Sequence, residues 1–417
     1  MRFFFCLDVE WASVNLGVFL CTECASYHRN MRGNVSRVQH VALNRWTDDE
    51  VKQLEQGGNT KSKTGLEAHV PLFYNRPGPD SPSILKEQWI RAKYERQEFS
   101  AHPGSQSAYT STLLEGFLWK KEKDDDRYSP QLFRLSELED SLKYFPKEQN
   151  KPAKASIRLS DINAVFSAHK TPGNANTLQL TYLQPDGVTR HLYVYHDDPE
   201  EVVRWYLAIR SAKLNRLSVA YPGASKVQLA SHLTQDFPME GWLWKAGPKF
   251  TESARKRWFT LDNRKLMYHD FPLAAHPRGE IFLGPHSDGW SVRDGTDGGS
   301  GSNGARFPFT LETPAKTCVF YAATVKERDS WVVVIKAVLE RPMTPQDSSC
   351  NFLLMASAVA MIPTKVSSET GLIWVALKRN PLAQESWDPG GSSKVKTYGI
   401  LAAPYAQSMD EPLAASA

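Results

Sequence analysis

Two groups of residues in this chain have types and spacing that could do chemistry. Lys245, Lys249, Arg255, Lys256 and Arg257 flank a loop of about ten residues between two apolar stretches. If those stretches are adjacent strands, the cationic heads can converge on one multiply charged phosphate, held by Arg forks and Lys point charges. Arg255 and Arg257 are two apart, so on a strand they point to the same face. The second group is Cys21-Thr22-Glu23-Cys24, with Tyr27-His28-Arg29 close behind. Two thiolates at this spacing can grip one Zn²⁺ from a tight turn, but a tetrahedral site needs four ligands. His28 reads as a packing and hydrogen-bonding residue rather than a metal ligand or a base. No nucleophile with a base partner, no P-loop and no dinucleotide fingerprint is present, which argues against an enzyme with its own small-molecule substrate.

The elements that must position the cations occur twice. Glu115-Gly116-Phe117-Leu118-Trp119-Lys120 is echoed by Glu240-Gly241-Trp242-Leu243-Trp244-Lys245, and about 125 residues also separate Trp205 from Trp331. That spacing marks a tandem duplication. In each copy an opening strand is followed by short strands with tight turns, Leu132 to Phe145 in one and Trp258 to Tyr268 in the other. Leu178, Leu180 and Tyr182 alternate, Pro185-Asp186-Gly187 turns, and Leu192 and Val194 resume, the pattern of a hairpin with one buried face. One helix closes each copy. Asp198 with Glu201, and Thr324 with Glu327, are set as capping pairs, with Pro199 at the first helical position. Val202, Trp205 and Ile209, then Trp331, Ile335 and Val338, form the buried stripes, and Pro342 stops the second helix. Seven or so strands plus a helix carrying one large Trp make a small barrel plugged at one end. The first copy is the poorer anion site. Its Lys120, Lys121 and Lys123 run into Asp124-Asp125-Asp126, which repel a phosphate, and Pro130-Gln131-Leu132 stand where cations are expected.

A chain of 417 residues suggests two to four domains, and 41% hydrophobic with 23% charged residues is ordinary for a water-exposed fold. The net charge of +4 favours an acidic surface without demanding nucleic acid, and no recognition-helix or base-stacking pattern points to DNA or RNA. Five irregularly spaced cysteines make no disulfide framework, so a reducing cytoplasm is expected. The apolar stretch Asn351 to Pro363 is too short to span a bilayer. Arg2 to Leu7 is broken by Asp8 and Glu10 before it could serve as a signal peptide. Residues 100–111 and 217–237 read as linkers, the second short enough to restrict the barrels it joins. Asp294 to Gly304 reads as a flexible loop between strands, and residues 343–417 as a disordered tail.

The repeated Glu-Gly-Phe/Trp-Leu-Trp-Lys block, the Phe-Arg-Leu or Trp-Phe-Thr-Leu strand and the terminal helix Trp resemble the pleckstrin-homology (PH) domain, in tandem at residues 112–216 and 238–342. Upstream, Trp11-Ala12-Ser13, Leu16 to Cys21, Cys24 through Asn30, Val38, Leu43, Trp46 and Gly58-Asn59 resemble the Arf GTPase-activating zinc-finger domain, over residues 1–99. Glu87 to Phe99 is similar to the exit helix of the dual-PH members, the centaurin-alpha group. The fold class implied is α+β: a small zinc-finger module, then two β-barrels each capped by a C-terminal helix. The implied function is activation of an Arf-family GTPase by a cytoplasmic protein recruited peripherally to the plasma membrane through phosphoinositides, phosphatidylinositol 3,4,5-trisphosphate among them. The implied lipid contacts are Lys245, Lys249, Arg255 and Arg257 with the Tyr268 hydroxyl, and more weakly Lys120 and Lys121. Arg29 would be an arginine finger supplied in trans, so the protein is not itself a hydrolase. The family holds Zn²⁺ with two Cys-x-x-Cys pairs. Cys21 and Cys24 match the second, whereas the first would fall on Met1 and Phe4, neither of which can bind the metal. The zinc site is therefore expected to be incomplete and the start of the chain to be a downstream one. The alternative is a phosphoinositide-binding adaptor without activating function.

Overall fold

The computed structural model describes residues 9–100, 109, 112–122, 126–146, 151–171, 174–184, 187–231, 233–247, 253–295, 306–343 and 347. Expectations about Met1, Phe4, Lys123, Lys249, the loop after Gly295 and the tail other than Met343 and Asp347 lie outside these residues; those two are ordered against the second barrel, Asp347 buried and paired with Arg264 at 3.4 Å.

The N-terminal module is a three-stranded antiparallel sheet of β1 (Trp11–Ser13), β2 (Val18–Leu20) and β3 (Val38–His40), in the order β2-β1-β3. Against it packs α1 (Thr22–Arg29), which buries Ala25, Tyr27 and His28. Helices α2 (Asp48–Gln56) and α3 (Asn59–Leu66) follow, α2 opening on a capping box between Thr47 and Glu50. The exit helix α4 (Ser83–Ile90) widens into a π-helical turn over Arg91–Glu95. Its apolar side does not stop at the module. Phe73, Tyr74, Trp89 and Phe99 belong to the same buried cluster as Phe133, Leu135 and Trp205 of the first barrel.

Each barrel is a seven-stranded antiparallel sheet. The first comprises β4 (Leu113–Lys121), β5 (Tyr128–Ser136), β6 (Ser141–Phe145), β7 (Ala155–Arg158), β8 (Asn163–Phe166), β9 (Leu178–Leu183) and β10 (Thr189–Tyr195), ordered β7-β6-β5-β4-β10-β9-β8. The second repeats that order with β11 (Met239–Lys245), β12 (Arg255–Leu261), β13 (Lys265–His269), β14 (Gly279–Phe282), β15 (Ser291–Asp294), β16 (Phe307–Glu312) and β17 (Thr317–Ala322). Alternation decides which side chains fill them: Leu114 and Leu118 in one, Leu243, Phe259 and Leu261 in the other are buried, with polar or aromatic residues between them.

The closing helices are α5 (Pro199–Ala220) and α7 (Val325–Glu340), separated by the short α6 (Lys226–Ala230). Trp205 and Trp331 are 2% and 1% exposed and lie over Gly116 and Gly241, so the repeated Gly and the repeated Trp are one packing unit. At α7 the Thr324 cap accepts from the Glu327 N–H, and the Glu327 carboxylate accepts from the N–H of Ala323, the residue before the cap, each at 3.1 Å. At α5 the expected pair is replaced. Asp198 accepts from the Glu200 N–H at 2.9 Å, and Glu201 pairs with Arg204 instead. Beyond α6, Leu233 is buried against the first barrel and Gln235 exchanges two hydrogen bonds with the Asn163 side chain.

The two barrels meet in a polar seam. The His191 N–H donates to the Ala275 carbonyl at 2.8 Å, the Tyr193 hydroxyl to the Pro272 carbonyl at 3.0 Å, and Lys265 Nζ to the Thr189 hydroxyl at 2.6 Å. Lys170 and Glu240 form a buried ion pair across it. His191 lies 5.1 Å from His269, ring centre to ring centre.

Candidate functional site

The mouth of the second barrel is set by strand register. Lys245 pairs with Arg255, Leu243 with Arg257, and Phe259 with Tyr268. Leu243 and Phe259 are fully buried, so the period of two puts Lys245, Arg255, Arg257 and Tyr268 on the same inward rows. Lys245 Nζ lies 5.4 Å from the Tyr268 ring centre. Arg257 pairs with Asp270 at 3.3 Å, and Asp270 is shared with Arg278. Burial raises the Tyr268 phenol above its usual pKa, with Cys318 adding and Arg257 opposing. The ring lies flat against β14: a Cβ at Gly279 would fall on the Tyr268 hydroxyl. Only glycine there leaves room for it. Lys256 is on the opposite face, 5.1 and 5.2 Å from the ring centres of Trp242 and Trp244, so it does not converge with its neighbours.

The first barrel differs on the strand where cations were missing. Lys120 pairs in register with Ser129, and Gln131 stands where the second barrel has Arg257. Lys120 is buried, its Nζ donating to the Lys121 carbonyl at 3.0 Å and lying 5.5 Å from the Tyr144 ring centre. Lys121 faces the other side and pairs with Asp126 at 3.2 Å. Two further cations, which sequence reasoning missed, approach Lys120. Arg190 lies opposite Tyr182 on the inward row that continues into Leu192 and Val194, and its Nε is buried without a hydrogen-bond partner. Lys154 enters β7 with its N–H on the Tyr144 carbonyl at 2.8 Å. Burial holds the Lys120 ammonium below its usual pKa; Glu122 opposes this, and Arg190, Lys154 and Lys121 add to it. The alternation Arg190, Leu192, Val194 carried the signal in the sequence. Lys154 left none.

In the N-terminal module Arg29 is the exposed last residue of α1, its guanidinium 4.0 Å from the Trp11 ring centre. Trp11 meets His40 edge-on at 4.6 Å. His28, one residue earlier, is buried, and its Nδ1 pairs with the Ser36 hydroxyl, which pairs with Ser13, each at 2.8 Å. Burial pushes its pKa down to about 3, with Lys93 adding, so the ring is neutral. Cys21 caps the start of α1, its Sγ accepting from the Cys24 N–H at 3.4 Å. Both thiols are half-buried, and their chemistry suits Zn²⁺. They are two donors of the four a structural site uses. Among the described residues no group of three or more His, Cys, Asp and Glu side chains could hold a metal ion. No described helix is long and apolar enough to cross a membrane.

Comparison with known proteins agrees with this layout. The family described as "Putative GTPase activating protein for Arf" matches residues 6–103, and the PH domain matches residues 112–214 and 237–340. The chain is 40% identical over 345 residues to the rat protein called Arf-GAP with dual PH domain-containing protein 2, covering 81% of this chain and 89% of that one. Its human counterpart is 40% identical over 340 residues, covering 81% and 88%. Among solved structures, the carboxyl-terminal PH domain of pleckstrin is 25% identical, covering 25% of this chain and 99% of that one with a TM-score of 0.21.

Proposed function

This chain belongs to the family of Arf GTPase-activating proteins with dual PH domains, and from that premise we propose that it accelerates GTP hydrolysis by an Arf-family GTPase at a phosphoinositide-bearing membrane. The observation that carries this reading is the inward clustering of Lys245, Arg255, Arg257 and Tyr268 at one end of a barrel whose other end is plugged by α7. Three cations and a hydroxyl fit an inositol ring bearing several phosphates, because forked and point-charge donors then meet separate phosphate oxygens. Lys249, which the sequence places between these two strands, is proposed as a further cation of the same site.

The first barrel takes the same class of ligand by another wall. Lys120, Lys154 and Arg190 supply charge from β4, the start of β7 and β10, in place of the absent β5 pair, while Lys121 is engaged by Asp126. Two headgroup sites on one chain reinforce each other, since engagement of one raises the effective concentration of the other. Recruitment is thus peripheral, from the cytoplasm to the plasma membrane.

Arg29 is the residue proposed to reach the GTPase. Its guanidinium is exposed and rests on Trp11, which limits its freedom before contact and so lowers the entropy lost on docking. An arginine delivered in trans neutralises charge developing on the transferred phosphoryl group and is worth about 10³–10⁵-fold in rate. Cys21 and Cys24 are the residues that would hold zinc, whose role at the start of α1 is structural. The test is single-turnover GTP hydrolysis by a myristoylated Arf protein on phosphoinositide liposomes. Acceleration by the natural chain that is lost with Arg29→Ala, at unchanged zinc content and unchanged liposome binding, is expected. Liposome binding without acceleration would identify an adaptor.

A further inference from the structure

The outer rows of β11 and β12 have two ends with different fates. At one end Glu240 and the neighbouring His269 of β13 are covered by the first barrel. At the other end, where β11 runs into the mouth, the rows finish in Trp242, which is exposed, and in Trp244, which is half-buried beneath Lys256 and Arg306. Trp242 is 38% exposed and Lys256 is exposed. These residues form a ladder: Arg306 lies 4.6 Å from the Trp244 ring centre, Lys256 sits over both Trp244 and Trp242, and Trp242 meets Trp258 edge-on at 5.6 Å.

Such a surface has a specific physical character. An exposed indole has an apolar body and a polar N–H, which suits it to the boundary between headgroups and acyl chains. A cation held over the ring keeps its charge accessible while its stem covers apolar surface. The corresponding outer face of the first barrel is also aromatic, with Phe117 exposed and Trp119 stacked on Tyr195, but its lysine, Lys121, is paired with Asp126. The patch on the second barrel lies on the back of the strands that carry Lys245, Arg255 and Arg257. Adjacent residues of one strand, Arg255, Lys256 and Arg257, therefore carry positive charge to both sides of the hairpin. A membrane that seats a headgroup in the mouth is within reach of the patch.

We propose that Trp242, Trp244, Lys256 and Arg306 form a second membrane contact, outside the mouth, that recognises the anionic bilayer surface itself rather than a phosphorylated inositol. This inference rests on the reading of the second barrel as membrane-recruited, but it involves a different ligand and a different face. The charge of the patch is complementary to phosphatidylserine, and its indoles to the interface beneath.

The experiment uses the full chain and two probes. The first is vesicles of phosphatidylcholine with phosphatidylserine and no phosphoinositide; the second is soluble inositol 1,3,4,5-tetrakisphosphate, measured by calorimetry. Each cation at an anionic surface is worth about fivefold in partitioning, so Lys256→Ser with Arg306→Ser should weaken vesicle binding about 25-fold. Trp242→Ser, at a partly exposed position, should weaken it further, and Trp fluorescence of the natural chain should be quenched by bromine-labelled acyl chains. Affinity for the soluble headgroup should stay within about twofold of the natural chain, which also shows that the variants are folded. Unchanged vesicle binding by the variants would overturn the proposal, as would competition by an acidic peptide without bromolipid quenching, which would make the patch a protein site. Loss of soluble headgroup binding in the Lys256 variant would overturn it too, by assigning that lysine to the mouth. Failure of the natural chain to bind the soluble headgroup would reject the mouth reading and leave the vesicle result standing on its own.

Discussion

Acidification should loosen the second barrel at its seam with the first, and His269 allows the size of the effect to be worked out. Its ring is 2% exposed and faces buried His191. Burial pushes its pKa down to about 4, with Lys170 adding, while the His276 backbone, Glu240 and Asp270 oppose the shift. An unfolded histidine titrates near 6.5. The folded value is the lower one, so between the two the unfolded state binds more protons and stability falls as pH falls. The loss begins below about pH 6.5 and levels off near pH 4. At pH 5 it amounts to about 2 kcal/mol for this one ring. His191, surrounded by His269, Lys170, Lys265 and His276, is pushed in the same direction by its own burial. His28 in the N-terminal module, pushed down to about 3, also costs stability as the pH falls below about 6.5, so the slope of the natural chain alone does not isolate the seam. The informative comparison is with His269→Gln, followed by urea unfolding monitored through Trp fluorescence at pH 8 and pH 5. The variant's deficit relative to the natural chain should shrink by about 2 kcal/mol on acidification. Two stability curves that fall in parallel would refute the reasoning.

Lys245→Ala with Arg257→Ala removes charge-assisted contacts worth about 1.5–3 kcal/mol each, so phosphoinositide-dependent liposome sedimentation should weaken at least 100-fold. Asp270 keeps Arg278 as partner, so circular dichroism should be unchanged. Undiminished sedimentation would place the lipid site elsewhere. Arg190→Ala should lower headgroup affinity of the first barrel about tenfold, read by calorimetry in a chain whose second mouth already carries the double substitution; no change there would remove Arg190 from the site. Gly279→Ala should drive the Tyr268 hydroxyl out of the second mouth, cost about 1–3 kcal/mol of stability by overpacking, and lower headgroup affinity. Headgroup affinity equal to that of the natural chain would show that the hydroxyl makes no contact.

The duplication was legible because barrel packing is written in short-range signals. A Gly that lies under a helix Trp recurs with that Trp at one interval, and the strand rows alternate around it. Cap chemistry was legible in kind but not in partner: Glu201 sits at capping-box spacing, yet Arg204 is within reach one turn later and takes its carboxylate. The same alternation that puts Arg255 and Arg257 together in the mouth also sends Lys256 to the opposite face, which counting cations around a loop overlooks. What the sequence could not reveal are pairings between distant segments whose partners have no fixed offset. His191 with His269, Lys170 with Glu240, and Arg190 with the wall around Lys120 belong to this class.

Those distant pairings bear on how lipid binding and GTPase contact could cooperate. On the proposed reading, Arg29 and the barrel mouths act on partners attached to one membrane, so their mutual geometry matters. A chain of flexibly linked modules would lose orientational freedom at each engagement, at a cost in affinity. Here the exit helix is built into the core of the first barrel, Arg210 donates to the Phe73 carbonyl at 2.6 Å, and Arg96 pairs with Glu200 at 3.2 Å. The seam then ties that barrel to the second through backbone and side-chain hydrogen bonds. Much of the orientational cost is therefore met on folding, and headgroup binding at either mouth also restricts where Arg29 can point. It follows that variants at the seam, remote from every ligand, should reduce GTPase activation on liposomes more than activation measured in solution.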